Sequence, residues 1–208
     1  MSVAAARPRF GPWVALATLS LGLFMTLLDL TIVNIAIPNL VDGIHASLDQ
    51  ILWVLNAYSL LYAVLLITSG RLGDIFGPRN LFIAGIAIFT IASALSGLAT
   101  DPTQLIAARA LQGVGAAVLA PQGLPIMLRL FPAAPRAGVF AIHGLLAWLA
   151  DLAGPTIGAF LAPPLRWTSA SFLTPPFRRV PLGLAHPAFP APPPPLPPPP
   201  SLPARPPA

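Results

Sequence analysis

Gly70-Arg71-Leu72-Gly73-Asp74-Ile75-Phe76-Gly77-Pro78-Arg79 stands between two apolar runs, Ile51 to Ser69 and Leu81 to Leu98. Glycines at 70, 73 and 77 allow a tight turn and close approach of helices. Asp74 can cap the N-terminus of a neighbouring helix and pair with an arginine. The stretch therefore reads as a short polar loop joining two long apolar helices, and the rest of the chain repeats that alternation.

A bilayer core about 30 Å thick needs about 20 apolar residues in a helix. Five stretches qualify: Trp13 to Ile37, Ile51 to Ser69, Leu81 to Leu98, Thr103 to Leu128 and Gly138 to Leu161. Only 8% of the 208 residues are charged and mean hydropathy is +0.79, whereas a soluble domain carries roughly 25% charged residues. The expected fold is an all-α membrane protein, with residues 1–12 leading into five transmembrane helices over 13–162. The first stretch is too long for the apolar region of a signal peptide, contains Asp29 and has no small-residue cleavage site, so it reads as an uncleaved helix. Arginines fall on alternate connections: Arg7 and Arg9, then Arg71 and Arg79, then Arg129 and Arg136. The intervening connections, Pro38 to Gln50 and Ala99 to Pro102, have none. By the positive-inside rule the N-terminus is expected in the cytoplasm.

Three spans carry polar groups that lipid would not tolerate. Leu28-Asp29-Leu30-Thr31-Ile32-Val33-Asn34 places an acid and an amide five positions apart in apolar sequence. Asp29 is expected to face a polar partner or cavity, unless it lies close enough to the outer interface to stay hydrated. Arg109 lies in Leu105-Ile106-Ala107-Ala108-Arg109-Ala110-Leu111-Gln112-Gly113-Val114-Gly115-Ala116-Ala117. It either faces a cavity or snorkels to the near interface. Gly113 and Ala117, like Gln112 and Ala116, share a face that permits close packing. In the fifth span Gly154 and Gly158 form a small-xxx-small face, and Pro155 removes a ladder bond and bends the helix. Asp151 and His143 in the same span have no evident role; a lone histidine is more often structural than coupling. Trp53, Tyr58 and Tyr62 of the second span are assigned none.

In this order the four stretches resemble the motifs of the major facilitator superfamily, and within it the drug:proton antiporters with fourteen spans. Residues 70–79 are similar to the family's signature loop, whose aspartate belongs to a latch holding the outward-open state; Ile75 stands where a basic residue is usual. The Asp29 stretch is similar to the first-helix motif, the Arg109 stretch to the fourth-helix motif with its proton-coupling arginine, and Gly154-Pro155 to the exporters' antiporter motif, with Ala159 replacing a usual glycine. The resemblance covers about residues 10 to 162. It implies two six-helix halves rocking about a midplane site, and proton-coupled efflux of hydrophobic or cationic drug-like compounds across a bacterial inner membrane. It further implies proton coupling through Asp29 and Arg109, a latch at Gly70, Gly73, Asp74, Gly77 and Arg79, helix packing at Gly113, Gly154, Pro155 and Gly158, and Asn34 and Gln112 as further polar candidates. The implied partners are a proton, a small-molecule substrate and the lipid bilayer, with no cofactor and no metal.

Five helices make less than one such half, so the chain by itself is expected to be a truncation without transport. The alternatives are an inactive membrane fragment, or uptake of a sugar or metabolite on the same scaffold, against which Gly154-Pro155 counts. Residues 163–208 are proline-rich and expected to be disordered or polyproline II, emerging on the outer face. There Arg166, Arg178, Arg179 and Arg205 break the charge rule, which suggests a frameshift in GC-rich DNA near Leu161 to Trp167. A net charge of +5 does not signal nucleic acid, because the arginines are scattered singly. Cysteine is absent, and no nucleophile–base pair, metal-ligand cluster or phosphate loop points to an enzyme.

Overall fold

The computed structural model describes residues 11–44, 46–161 and Phe189. The elements are α1 (Pro12–Ile44), α2 (Leu48–Phe76), α3 (Pro78–Leu98), α4 (Pro102–Leu119), a 3₁₀ turn over Ala120–Gln122, α5 (Gly123–Leu130) and α6 (Arg136–Leu161). They supply five spans long and apolar enough to cross a membrane, with α4, the 3₁₀ turn and α5 forming one. Large apolar side chains cover the outside: Leu52, Trp53, Leu60, Val64 and Ile67 on α2, Leu145, Trp148 and Leu152 on α6. Such a surface is unfavourable in water and costs nothing against lipid tails. The protein is a multi-pass, all-α membrane protein.

Local chemistry fixes the helix starts. Ser47 forms a capping box with Gln50: its Oγ accepts from Gln50 N at 3.3 Å, and Gln50 Oε1 accepts from Ser47 N at 2.9 Å. Asp101 caps α4 by accepting from Gln104 N at 3.0 Å, with Pro102 at the first helical position, where a missing N–H costs nothing. At the end of α5 the carbonyls of Leu128 and Phe131 accept from Nη2 and Nε of Arg136, both at 3.0 Å. That arginine, read only as a topological marker, closes the connection to α6.

Three boundaries depart from the sequence reading. The connection placed at Pro38 to Gln50 shrinks to residues 45–47, because Pro38 removes one ladder bond without ending α1. The loop expected over Gly70–Arg79 is helical through Phe76, and the reversal is concentrated in Gly77, at φ 85° and ψ 132°. Positive φ suits glycine alone, and Pro78 bars the α region to the residue before it while starting α3 with preset φ. The single helix expected from Thr103 to Leu128 breaks at Ala120–Gln122, where Pro121 and Pro125 both lack the N–H that an unbroken ladder needs.

α4 packs most extensively against α2 and α3, while α1 packs against α6. Glycines make the central contacts possible. A Cβ on Gly113 would collide with the Tyr58 backbone of α2, and one on Gly115 would lie 2.6 Å from Phe89 N of α3. A core of Leu16, Leu19, Phe82, Ile86, Ile126 and Val139 joins α1 and α6 to α3 and α5. Phe189 is buried in that core, its ring 5.2 Å from that of Phe82 and nearly perpendicular to it. Apart from Phe189, the expectations for residues 163–208 fall outside the described residues.

Candidate functional site: a buried ion pair between the first and fourth spans

Arg109 sits two turns into α4, and Gln112 one turn further on the same face. Alanines and glycines around them, Ala108, Gly113, Gly115 and Ala116, let the neighbouring backbones close in. Both polar side chains are 1% exposed, and Asp29 of α1 opposite them is 7% exposed.

Arg109 Nη1 donates to Asp29 Oδ2 at 2.6 Å and to Gln112 Oε1 at 2.8 Å. Gln112 Nε2 donates to Asp29 Oδ1 at 3.1 Å, so both carboxylate oxygens have a partner. Ser96 Oγ of α3 donates to Gln112 Oε1 at 3.2 Å. The guanidinium carbon lies 4.6 Å from the centroid of the Tyr58 ring on α2, a cation–π contact that partly replaces lost hydration. Arg109 Nε is buried without a hydrogen-bond partner. Four helices thus meet in one neutral cluster away from solvent. A buried pair of this kind adds little net stability against an apolar substitute, yet losing one partner strands a charge at a cost of about 3–5 kcal/mol.

The sequence-derived candidates divide by place. Asp29, Arg109 and Gln112 come together, with Gly113 giving α2 its close approach. Asn34 is exposed and stands apart. Gly73 packs on Gln122 and Gly70 on Pro121, at the far end of the same helix pair. Asp74 is exposed on the last turn of α2, and α3 has Gly77 at its N-cap and no side-chain cap. Arg79 shares a small cavity with Gly77, Asn80, Arg129 and Phe189. Gly154, Pro155 and Gly158 fall within α6, but their packing lies outside the described residues. Asp151 is exposed, and His143 is hydrogen-bonded to Ser20 at 2.9 Å.

Sequence reasoning missed Tyr58 and Ser96 as members of the cluster, and missed Gln122 altogether. Gln122 Nε2 donates to Ser69 O at 3.0 Å and Val118 O at 3.1 Å, tying the end of α2 to the break after α4. The signal was there: an amide between Pro121 and Gly123 in apolar sequence has to find partners.

Residues 19–206 match the sequence model of the Major Facilitator Superfamily. The chain belongs to the Major Facilitator Superfamily. Among curated proteins it is 41% identical over 180 residues to an uncharacterized MFS-type transporter of Mycobacterium tuberculosis, covering 86% of this chain and 31% of that protein. It is 37% identical over 174 residues to the tetracenomycin C resistance and export protein of Streptomyces glaucescens, covering 84% of this chain and 31% of that protein. A riboflavin transporter of Clostridioides difficile is 33% identical over 172 residues, 83% of this chain and 37% of that protein. This major facilitator chain thus spans about a third of the length of the curated relatives it matches. Members of the superfamily are transporters that handle small molecules in a membrane.

Proposed function

We propose that this chain is the proton-coupling part of a drug:proton antiporter of a bacterial inner membrane, which exports hydrophobic or cationic compounds. The observation that carries the reading is the buried ion pair of Asp29 with Arg109, braced by Gln112. Protonation neutralises Asp29, removes the attraction and leaves Arg109 charged without a counterion in a low-dielectric site. The helices then gain by rearranging until Arg109 finds new solvation, and deprotonation drives the return. Proton occupancy is in this way converted into a choice between two helix arrangements. Gly70, Gly73, Asp74, Gly77 and Arg79 act as the latch at the cytoplasmic end, with Gln122 holding Gly73 in place. In this reading the N-terminus is cytoplasmic, which the alternating arginines support. Export rather than uptake is supported by relatives whose names are those of antibiotic exporters and resistance proteins.

The test is proton flux driven by a cationic dye in everted vesicles. Expected is coupled flux from the parent and none from Asp29→Asn or Arg109→Ala; undiminished flux in Asp29→Asn overturns the reading. A second reading, that these 208 residues do not transport by themselves, is favoured by their covering 31% of the first relatives. In that case the vesicles show no flux, and infrared difference spectroscopy of the reconstituted chain still reports a protonating carboxyl group that Asp29→Asn removes.

A further inference from the structure

α1 carries a second polar contact at another depth and on another side. Ser20 Oγ and His143 Nδ1 are 2.9 Å apart across the α1–α6 contact, and Ser20 is buried. Ser20 and Asp29 are nine positions apart, about 14 Å along the axis and two and a half turns around it. One therefore faces α6 and the other α4. The second ring nitrogen of His143, Nε2, points to Gly123 where the 3₁₀ turn meets α5; a Cβ there would lie 3.9 Å away. Among the described residues the hydrogen bond of the His143 ring is the one to Ser20 through Nδ1, and His143 is half-buried rather than enclosed.

A serine is the neighbour a titrating imidazole needs. Its hydroxyl can donate to a bare ring nitrogen or accept from an N–H, so the contact survives in either protonation state. A carboxylate would bind the ring in its charged form, and an apolar side chain would support neither. No acid lies close. On α1 the nearest charge is Asp29, engaged with Arg109 of α4. On α6 Arg136 is turned back to Leu128 and Phe131, and Asp151 is exposed eight positions on. α5 contributes Arg129 and α3 Arg79, both at the cavity around Phe189.

We propose that His143, held by Ser20, is a second proton-binding site of this chain, distinct from the Asp29–Arg109 pair, with its Nε2 beside the bare backbone of Gly123. With the neutral ring donating Nδ1–H to Ser20 Oγ, the lone pair of Nε2 takes a proton from hydronium. One N–H bond forms at Nε2 and one O–H bond of hydronium breaks, leaving water, while no bond within the protein breaks.

The experiment is nitrogen NMR of the full chain in lipid nanodiscs with ring-labelled histidine. His143→Gln assigns the signal, and His45 and His186 serve as references. The His143 ring is expected to titrate reversibly between about pH 5 and 8. Ser20→Ala is expected to displace the midpoint by about half a pH unit or more, Ser20→Thr to restore it, and Asp29→Asn to leave it in place. A His143 ring in one protonation state across that range overturns the proposal, as does a midpoint insensitive to Ser20→Ala. A midpoint that follows Asp29→Asn removes the claim of a distinct site.

Discussion

Arg109 is held by charge on one side, by an aromatic face on another and by Gln112 along its own helix, so its removal is felt differently from that of its partners. Arg109→Ala leaves Asp29 buried and unpaired, and we expect a loss of about 3–5 kcal/mol in unfolding free energy, measured by denaturation in mixed micelles. Asp29→Asn in the Arg109→Ala background should recover most of that loss, because it removes the stranded charge. Gln122→Leu is a milder case: it leaves the Ser69 carbonyl without its side-chain donor, for about 1–3 kcal/mol. Its signature should be local, as faster hydrogen exchange in the last two turns of α2. At this scale the sequence was most legible where burial is expensive. An acid and a guanidinium inside apolar runs demand partners, and here they found each other. Ser96 and Tyr58 gave no such sign, since a serine can satisfy itself on its own helix and an aromatic ring is at home in lipid or core alike.

Between elements, the glycines separate into two kinds. Gly115 meets the Phe89 backbone, whereas nothing lies within 4 Å of a Cβ on Gly144. Gly144→Ala should therefore stabilise α6 by up to about 1 kcal/mol through helix propensity, while Gly115→Ala should destabilise the bundle; thermal unfolding of the two variants side by side checks the sign. Gly77→Ala should also destabilise, since its φ of 85° is strained for any side chain. Apolar length located all five spans, but their ends obeyed other rules. Proline shows the difference: Pro38 sits inside a helix, Pro78 and Pro102 begin helices, and Pro121 marks a break. A ring that removes one donor is decided by what the surrounding helices can make good, and that is not written locally. The segment Gly70–Phe76 is helical for a related reason: only one residue, Gly77, is needed to turn the chain.

For the molecule as a whole, topology and the place of Phe189 make the clearest tests. The chain has no cysteine, so single cysteines can be introduced at will. Those at Ser47 and Thr100 should react with an impermeant reagent from one face of the membrane, and one at Asn80 from the other. Phe189→Ala should cost about 3–5 kcal/mol, the usual price of emptying an aromatic site in a core, and a smaller effect would place that ring outside it.

Two positions apart on α4, Gly113 and Gly115 touch opposite neighbours backbone to backbone. A helix gripped on both flanks in this way can neither spin nor slide without collision. α2, α3 and α4 are thereby locked into a slab, to which α1 and α6 are joined by the apolar core around Phe82. Asp29 and Arg109 are the charged stitch by which α1 is fastened to that slab.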